Sequence, residues 1–98
     1  MDAPCLVVTT APIRGQGFNL KDSDHWTLGN DSRAQLRIRD RTIAPLHARI
    51  FRQEGEWQAA ALSPDSPFYV NGEPVYEAVL EHNDRLRFGR IELMLLLD

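Results

Sequence analysis

The run LRIRDRTIAPLHARI, Leu36 to Ile50, decides the fold. Its opening, within QLRIR, alternates strictly: Leu36 and Ile38 face one way, Arg37 and Arg39 the other. A period of two is the mark of a half-buried strand. The pattern breaks at Asp40 to Leu46 and resumes in ARIFRQ, Ala48 to Gln53. Pro45 bars a helix across the break and holds Ala44 extended. The run therefore reads as strand, apolar loop, strand, with His47 at the exit of the loop.

The same grammar extends in both directions. CLVVTT is apolar and β-branched, then broken by Pro12 and Gly15. GFNL and HWTLG are short extended segments on either side of the polar turn Lys21 to Asp24. ARIFRQ and WQAAAL form a hairpin around Gly55, and FYVNGEPV turns at Asn71-Gly72. RLRFGRIELMLLL gives two strands joined around Gly89-Arg90. PVYEAVLE is the one segment with helical character, and a weak one. Many short strands with frequent turns mean an all-β sandwich whose loops gather at its ends. The loops that can carry function are Asn30 to Ala34, Asp40 to Leu46 and Ser63 to Phe68.

With 98 residues the chain is the size of one small domain, taken as 1–98. Its net charge of −3 argues against nucleic-acid binding, which rests on a basic face. Ten of the eleven basic residues are arginines, six of them between Arg33 and Arg52. They read as a solvated face alternating with core positions, diluted by Asp31, Asp40, Glu54 and Glu56. The single cysteine, Cys5, lies in an apolar run and reads as a buried thiol in a reducing compartment. The longest apolar stretch, IELMLLL, is too short to span a bilayer.

Catalytic and metal chemistry find no pattern. Ser32, Ser63 and Thr42 are nucleophiles by type only, with no base paired by spacing. His25, His47 and His82 are scattered and lack ligand spacing. The expectation is no enzyme, no metal and no cofactor. His47 is expected to brace the loop by tying it to neighbouring backbone.

The order of parts resembles a forkhead-associated (FHA) domain. The matching pieces are WTLGN (Trp26 to Asn30), LRIRDRTIAPLHARI, YVNG (Tyr69 to Gly72) and LEHNDRLRFG (Leu80 to Gly89). The resemblance implies an eleven-stranded β-sandwich whose loops at one end bind partners, usually phosphothreonine peptides. Phosphothreonine carries roughly −1.5 to −2 charges and three acceptor oxygens, so its site needs a fixed arginine and several donors. In the family an arginine follows the first-motif glycine, where this chain has Asn30 after Gly29. The serine three residues before the histidine is replaced by Ala44, and the residue after it by Pro45. The asparagine of the family's NGT run aligns with Ser66, and the glycine and threonine with Pro67 and Phe68. Scaffold residues are kept: Gly29, His47, Asn71, Gly72 and Gly89. A hydrogen bond to a charged group contributes roughly 1.5–3 kcal/mol, and a micromolar complex holds only about 8 kcal/mol in all. Losing the arginine and the hydroxyl together removes ordinary phosphopeptide recognition. Arg33 and Arg41 lie in the same loops as a conceivable replacement, with Asp31 and Asp40 expected to repel the dianion.

IAPLH, Ile43 to His47, and GNDSRAQLRIRD, Gly29 to Asp40, are similar to a narrower group. This is the cytoplasmic domain of the YscD-type inner-membrane ring component of type III secretion systems. That resemblance implies a cytoplasmic piece ahead of a membrane segment lying outside this chain. It also implies a phosphate-independent assembly module, oligomeric in the full assembly, that contacts neighbouring ring subunits or sorting-platform proteins. The expected contact surface is Asn30, Arg33, Arg41, Ala44, Pro45, Leu46 and Ser66, with Leu46 either an exposed anchor or part of the core. The competing expectation is a phosphothreonine reader with a non-standard site built on Arg33 and Arg41.

Overall fold

The structure, a computed structural model, describes residues 4–97. Its strands are β1 (Cys5–Val8), β2 (Gly17–Asn19), β3 (His25–Gly29), β4 (Leu36–Arg37), β5 (Ala48–Gln53) and β6 (Glu56–Ala61). They continue as β7 (Phe68–Val70), β8 (Glu73–Val75), β9 (Glu77–Leu80), β10 (Arg85–Phe88) and β11 (Ile91–Leu96). Six strands form one sheet, in the order β2-β1-β11-β10-β7-β8, and five form the other, β4-β3-β5-β6-β9. The expected all-β sandwich of eleven short strands is what the chain adopts.

Alternation puts the core between the sheets. Leu6 and Val8, Trp26 and Leu28, Ala48 and Ile50, and Leu86 and Phe88 all point inward, as do Ile91, Leu93 and Leu95. Trp26 stacks on Trp57 at 5.6 Å, and Phe68 on Phe88 at 5.3 Å. The β7–β8 turn needs two left-handed residues, which Asn71 (φ 52°) and Gly72 (φ 91°) supply. The Asn71 side chain then accepts from the Arg85 N–H and donates to Asp84, tying this turn to the start of β10.

Three segments depart from the sequence reading. PVYEAVLE is not helical: it supplies the end of β8 and all of β9, where Val75 and Val79 suit a sheet. The alternation of QLRIR outlasts β4, which is Leu36–Arg37 alone; Ile38 is still buried and keeps one bond to β3, its N–H donating to Gly29 O at 2.9 Å. Cys5 is half-buried rather than buried, because β1 turns Leu6 and Val8 into the core and Cys5 and Val7 outward.

Candidate functional site

The loops after β3, β4, β6 and β10 meet at one end of the sandwich. Their anchor is Gly29, the last residue of β3. A methyl group there would lie 2.7 Å from the Pro45 carbonyl carbon, 2.9 Å from Leu46 Cα and closer still to the Pro45 oxygen. Only glycine lets the β4–β5 loop lie this close. The loop is then bonded down: the Asn30 N–H donates to Ala44 O and the Asp31 N–H to Pro45 O, both at 3.0 Å. The Asn30 side-chain amide donates to Asp40 O at 2.7 Å. Gly89 receives the loop from the other side, where a Cβ would lie 2.6 Å from the Thr42 carbonyl carbon.

Asp40 locks the start of that loop. Its carboxylate is buried and accepts from the Thr42 hydroxyl, from the Thr42 N–H at 2.9 Å and from Arg90 Nε at 2.8 Å. The hydrogen bond from the Thr42 hydroxyl, helped by the Thr42 N–H and Arg90, outweighs burial and holds the Asp40 carboxyl down at about 2. A carboxyl depressed in the folded state stabilises fully above its unfolded value, roughly 3.9, and loses that contribution as pH falls through the folded value. The domain is therefore expected to lose stability between about pH 4 and pH 2. In Asp40→Asn this acid limb is expected to be shallower, on a lower neutral-pH plateau, as urea unfolding followed across pH will read.

His47 joins two loops. The Ala44 N–H donates to its Nδ1 at 3.0 Å, so Nδ1 is unprotonated, and Nε2 donates to Pro67 O at 3.0 Å. The ring is buried and meets Phe88 edge-on at 5.4 Å. Both nitrogens are thus committed to backbone of the β4–β5 and β6–β7 loops.

Between these loops lies a cleft of about 490 Å³. Arg41, Ala44, Pro45 and Ser66, four of the expected contact residues, line it. The other three do not. Asn30 spends its amide on Asp40 O. Arg33 is clamped in a fork onto Asp31, at 3.0 and 3.1 Å, and its hydrogen bonds hold the Asp31 carboxyl below the usual range. Leu46 is half-buried, outside both the core cluster and the cleft. The expected repulsion by Asp31 and Asp40 needs correcting, because Arg33 and Arg90 pair with them.

Two further lining residues are Arg87 and Tyr69. Sequence reading missed them because both sit in scaffold strands. The register pairs them directly across β10 and β7, and the Arg87 guanidinium lies over the Tyr69 ring at 3.9 Å. The only signal in the sequence is that both occupy outward positions of alternating strands. Among the described residues no three His, Cys, Asp or Glu side chains gather to hold a metal ion.

Residues 8–97 match the model of the cytoplasmic domain of the inner membrane component of type III secretion systems. The glycogen accumulation regulator GarA of Mycolicibacterium smegmatis is 32% identical over 91 residues, 93% of this chain and 57% of that protein. The oxoglutarate dehydrogenase inhibitor of Corynebacterium diphtheriae is 30% identical, over 94% of this chain and 64% of its own length. The chain thus spans about three fifths of these relatives. In fold it is similar to an FHA domain with phosphothreonine-dependent interactions (TM-score 0.85, 24% identity, 98% of this chain and 97% of that one). It is equally similar to the FHA domain of a Chlamydia trachomatis protein (TM-score 0.85, 23% identity, 95% of each chain). The chain belongs to the YscD-type family of cytoplasmic, FHA-fold protein-interaction domains.

Proposed function

We propose that this domain is a phosphate-independent protein–protein assembly module. It works as the cytoplasmic domain of a type III secretion inner-membrane ring protein and contacts neighbouring ring subunits or sorting-platform proteins through its loop end. One observation carries this reading: the donors a phosphate would need are turned inward. The Asn30 amide serves Asp40 O and the Ala44 N–H serves His47 Nδ1. Pro45 has no N–H to offer. A dianion in the cleft would meet the Arg41 and Arg87 side chains but none of these loop donors. Weak contacts suit a ring, where repetition multiplies modest interfaces. The chain acts without catalysis in this reading, since His47, its buried histidine, has no free ring nitrogen to serve as a base.

A phosphothreonine reader is the second reading. Arg41 favours it, since it lines the cleft and forms no ion pair among the described residues. So does the phosphothreonine dependence of one domain of the same fold. Calorimetric titration of matched threonine and phosphothreonine peptide libraries separates the two. The expected result is no gain from the phosphate. Low-micromolar, phosphate-dependent binding that Arg41→Ala abolishes would establish the second reading and end the first.

A further inference from the structure

Two guanidinium groups line one cleft, and neither forms a salt bridge among the described residues. Arg33, Arg52 and Arg90 are each paired with an aspartate. Arg41 and Arg87 are not, among the described residues, and both line the same cleft. Arg87 is half-buried and fixed from two sides. Its plane rests on Tyr69, and Nη1 donates to Gly89 O at 2.7 Å. Glu92 stands directly across from it on β11, yet forms no ion pair with it. The Glu92 carboxylate instead accepts from Thr9 Oγ1 at 3.0 Å. A guanidinium held in one orientation and not neutralised by an ion pair is open to a ligand that brings a carboxylate.

We infer that the cleft takes an aspartate or glutamate side chain from an acidic, unphosphorylated segment of a partner protein, held between Arg87 and Arg41. This rests on the phosphate-independent reading above and names the chemistry of its partner. A carboxylate fits where a phosphate does not. It brings one charge and two acceptor oxygens, which one guanidinium fork satisfies, with no hydroxyl or amide donors needed. The charge also matches, because the cleft carries Arg41 and Arg87 against the exposed Asp65 on its rim. Because Arg87 is already immobilised, little side-chain freedom is lost on binding. Ile43, Pro45 and Pro67 give the cleft apolar walls, which suit an aliphatic neighbour beside the acidic residue. Asp65 on the rim carries the same charge as an incoming carboxylate and opposes it, which sets an internal check on the sign of the effect.

The test titrates three blocked hexapeptides into the 98-residue chain, uniformly labelled with nitrogen-15. They are Ala-Glu-Leu-Glu-Ala-Ala, its double glutamine counterpart, and a version with phosphothreonine in place of the first glutamate. Backbone and arginine Nε signals are followed. The expected result is saturable shifts at Arg41 and Arg87 with the glutamate peptide and not with the glutamine one. Arg41→Ala, at an exposed site, is expected to weaken that binding roughly tenfold. Arg87→Lys, which keeps the charge but loses the fork, is expected to weaken it by a similar factor, and Asp65→Asn to strengthen it. If the glutamate and glutamine peptides behave alike, bound or unbound, the inference is overturned while phosphate independence stands. If the phosphothreonine peptide binds at least tenfold tighter than the glutamate one, the underlying reading falls as well.

Discussion

Gly29→Ala is expected to destabilise the domain by about 3 kcal/mol or more and to lower its melting temperature by roughly 12–24 °C. The cause is contact alone. Gly29 is not among the glycines with positive φ, so alanine brings no backbone penalty of its own. The new methyl would press on main-chain atoms of Pro45 and Leu46, which cannot swing aside as the tip of a long side chain can. Moving them breaks the bonds from the Asn30 and Asp31 N–H groups to Ala44 and Pro45. Each such bond contributes roughly 1 kcal/mol net, and overpacking a tight site costs a further ~1–3 kcal/mol. Gly55→Ala is the control. Its Cβ would meet nothing, and its cost is the left-handed backbone alone (φ 82°), about 1–2 kcal/mol. Chemical denaturation of the two variants compares them directly. A Gly29→Ala loss no larger than that of Gly55→Ala would mean the loop does not rest on Gly29 as described.

The contrast between these glycines marks where a sequence stops being readable. Asn71-Gly72 and the turn at Gly55 are local: two residues and their φ preferences specify each hairpin, and both were legible in the chain. The need for glycine at position 29 is set by Pro45, sixteen residues on, through a contact that exists only once β3 and β5 have paired. Asp40 shows the same limit with charge. In the sequence it is an acid beside a basic loop, and repulsion of an anion is the natural reading. In the fold Arg90, fifty residues away, neutralises it. Arg33 goes the other way: its partner Asp31 is two residues off, and the fork between them was within reach of local reasoning. Arg87 was beyond it. Alternation alone sends that side chain outward, but which ring it covers depends on the register between β10 and β7. Fold class follows from short-range pattern, whereas the composition of the cleft follows from pairings across the whole chain.

The second large effect is a gain. Installing two of the groups that the FHA pattern lacks here, as Asn30→Arg with Ala44→Ser, is expected to raise affinity for a phosphothreonine peptide library by roughly thirtyfold or more over the unmodified chain. Two new charge-assisted interactions at ~1.5–3 kcal/mol each give roughly 3–6 kcal/mol before costs. The main cost is the lost amide of Asn30, which now holds Asp40 O at 2.7 Å. That carbonyl keeps a second partner, the Ile43 N–H, so the loop start stays bonded and the penalty is about 1 kcal/mol. The Ala44 N–H remains on His47 in the variant, so the loop keeps its shape while the new hydroxyl faces the cleft side of the chain. Adding Pro45→Arg restores a backbone donor and brings a second added positive charge, and is expected to tighten phosphate-dependent binding further. Calorimetry with phosphorylated and plain libraries reads the difference, and circular dichroism checks that each variant is folded. A folded double variant that still treats the two libraries alike would show that something other than the missing fork and hydroxyl keeps phosphate out. The inward-turned donors would then be an accident of loop packing, and phosphate independence would need a different physical cause. The arginines at 41 and 87 are untouched in this variant, so its response to the glutamate peptide should survive. Acidic-segment capture and phosphate recognition would then be separable on one scaffold, because each uses a different set of donors.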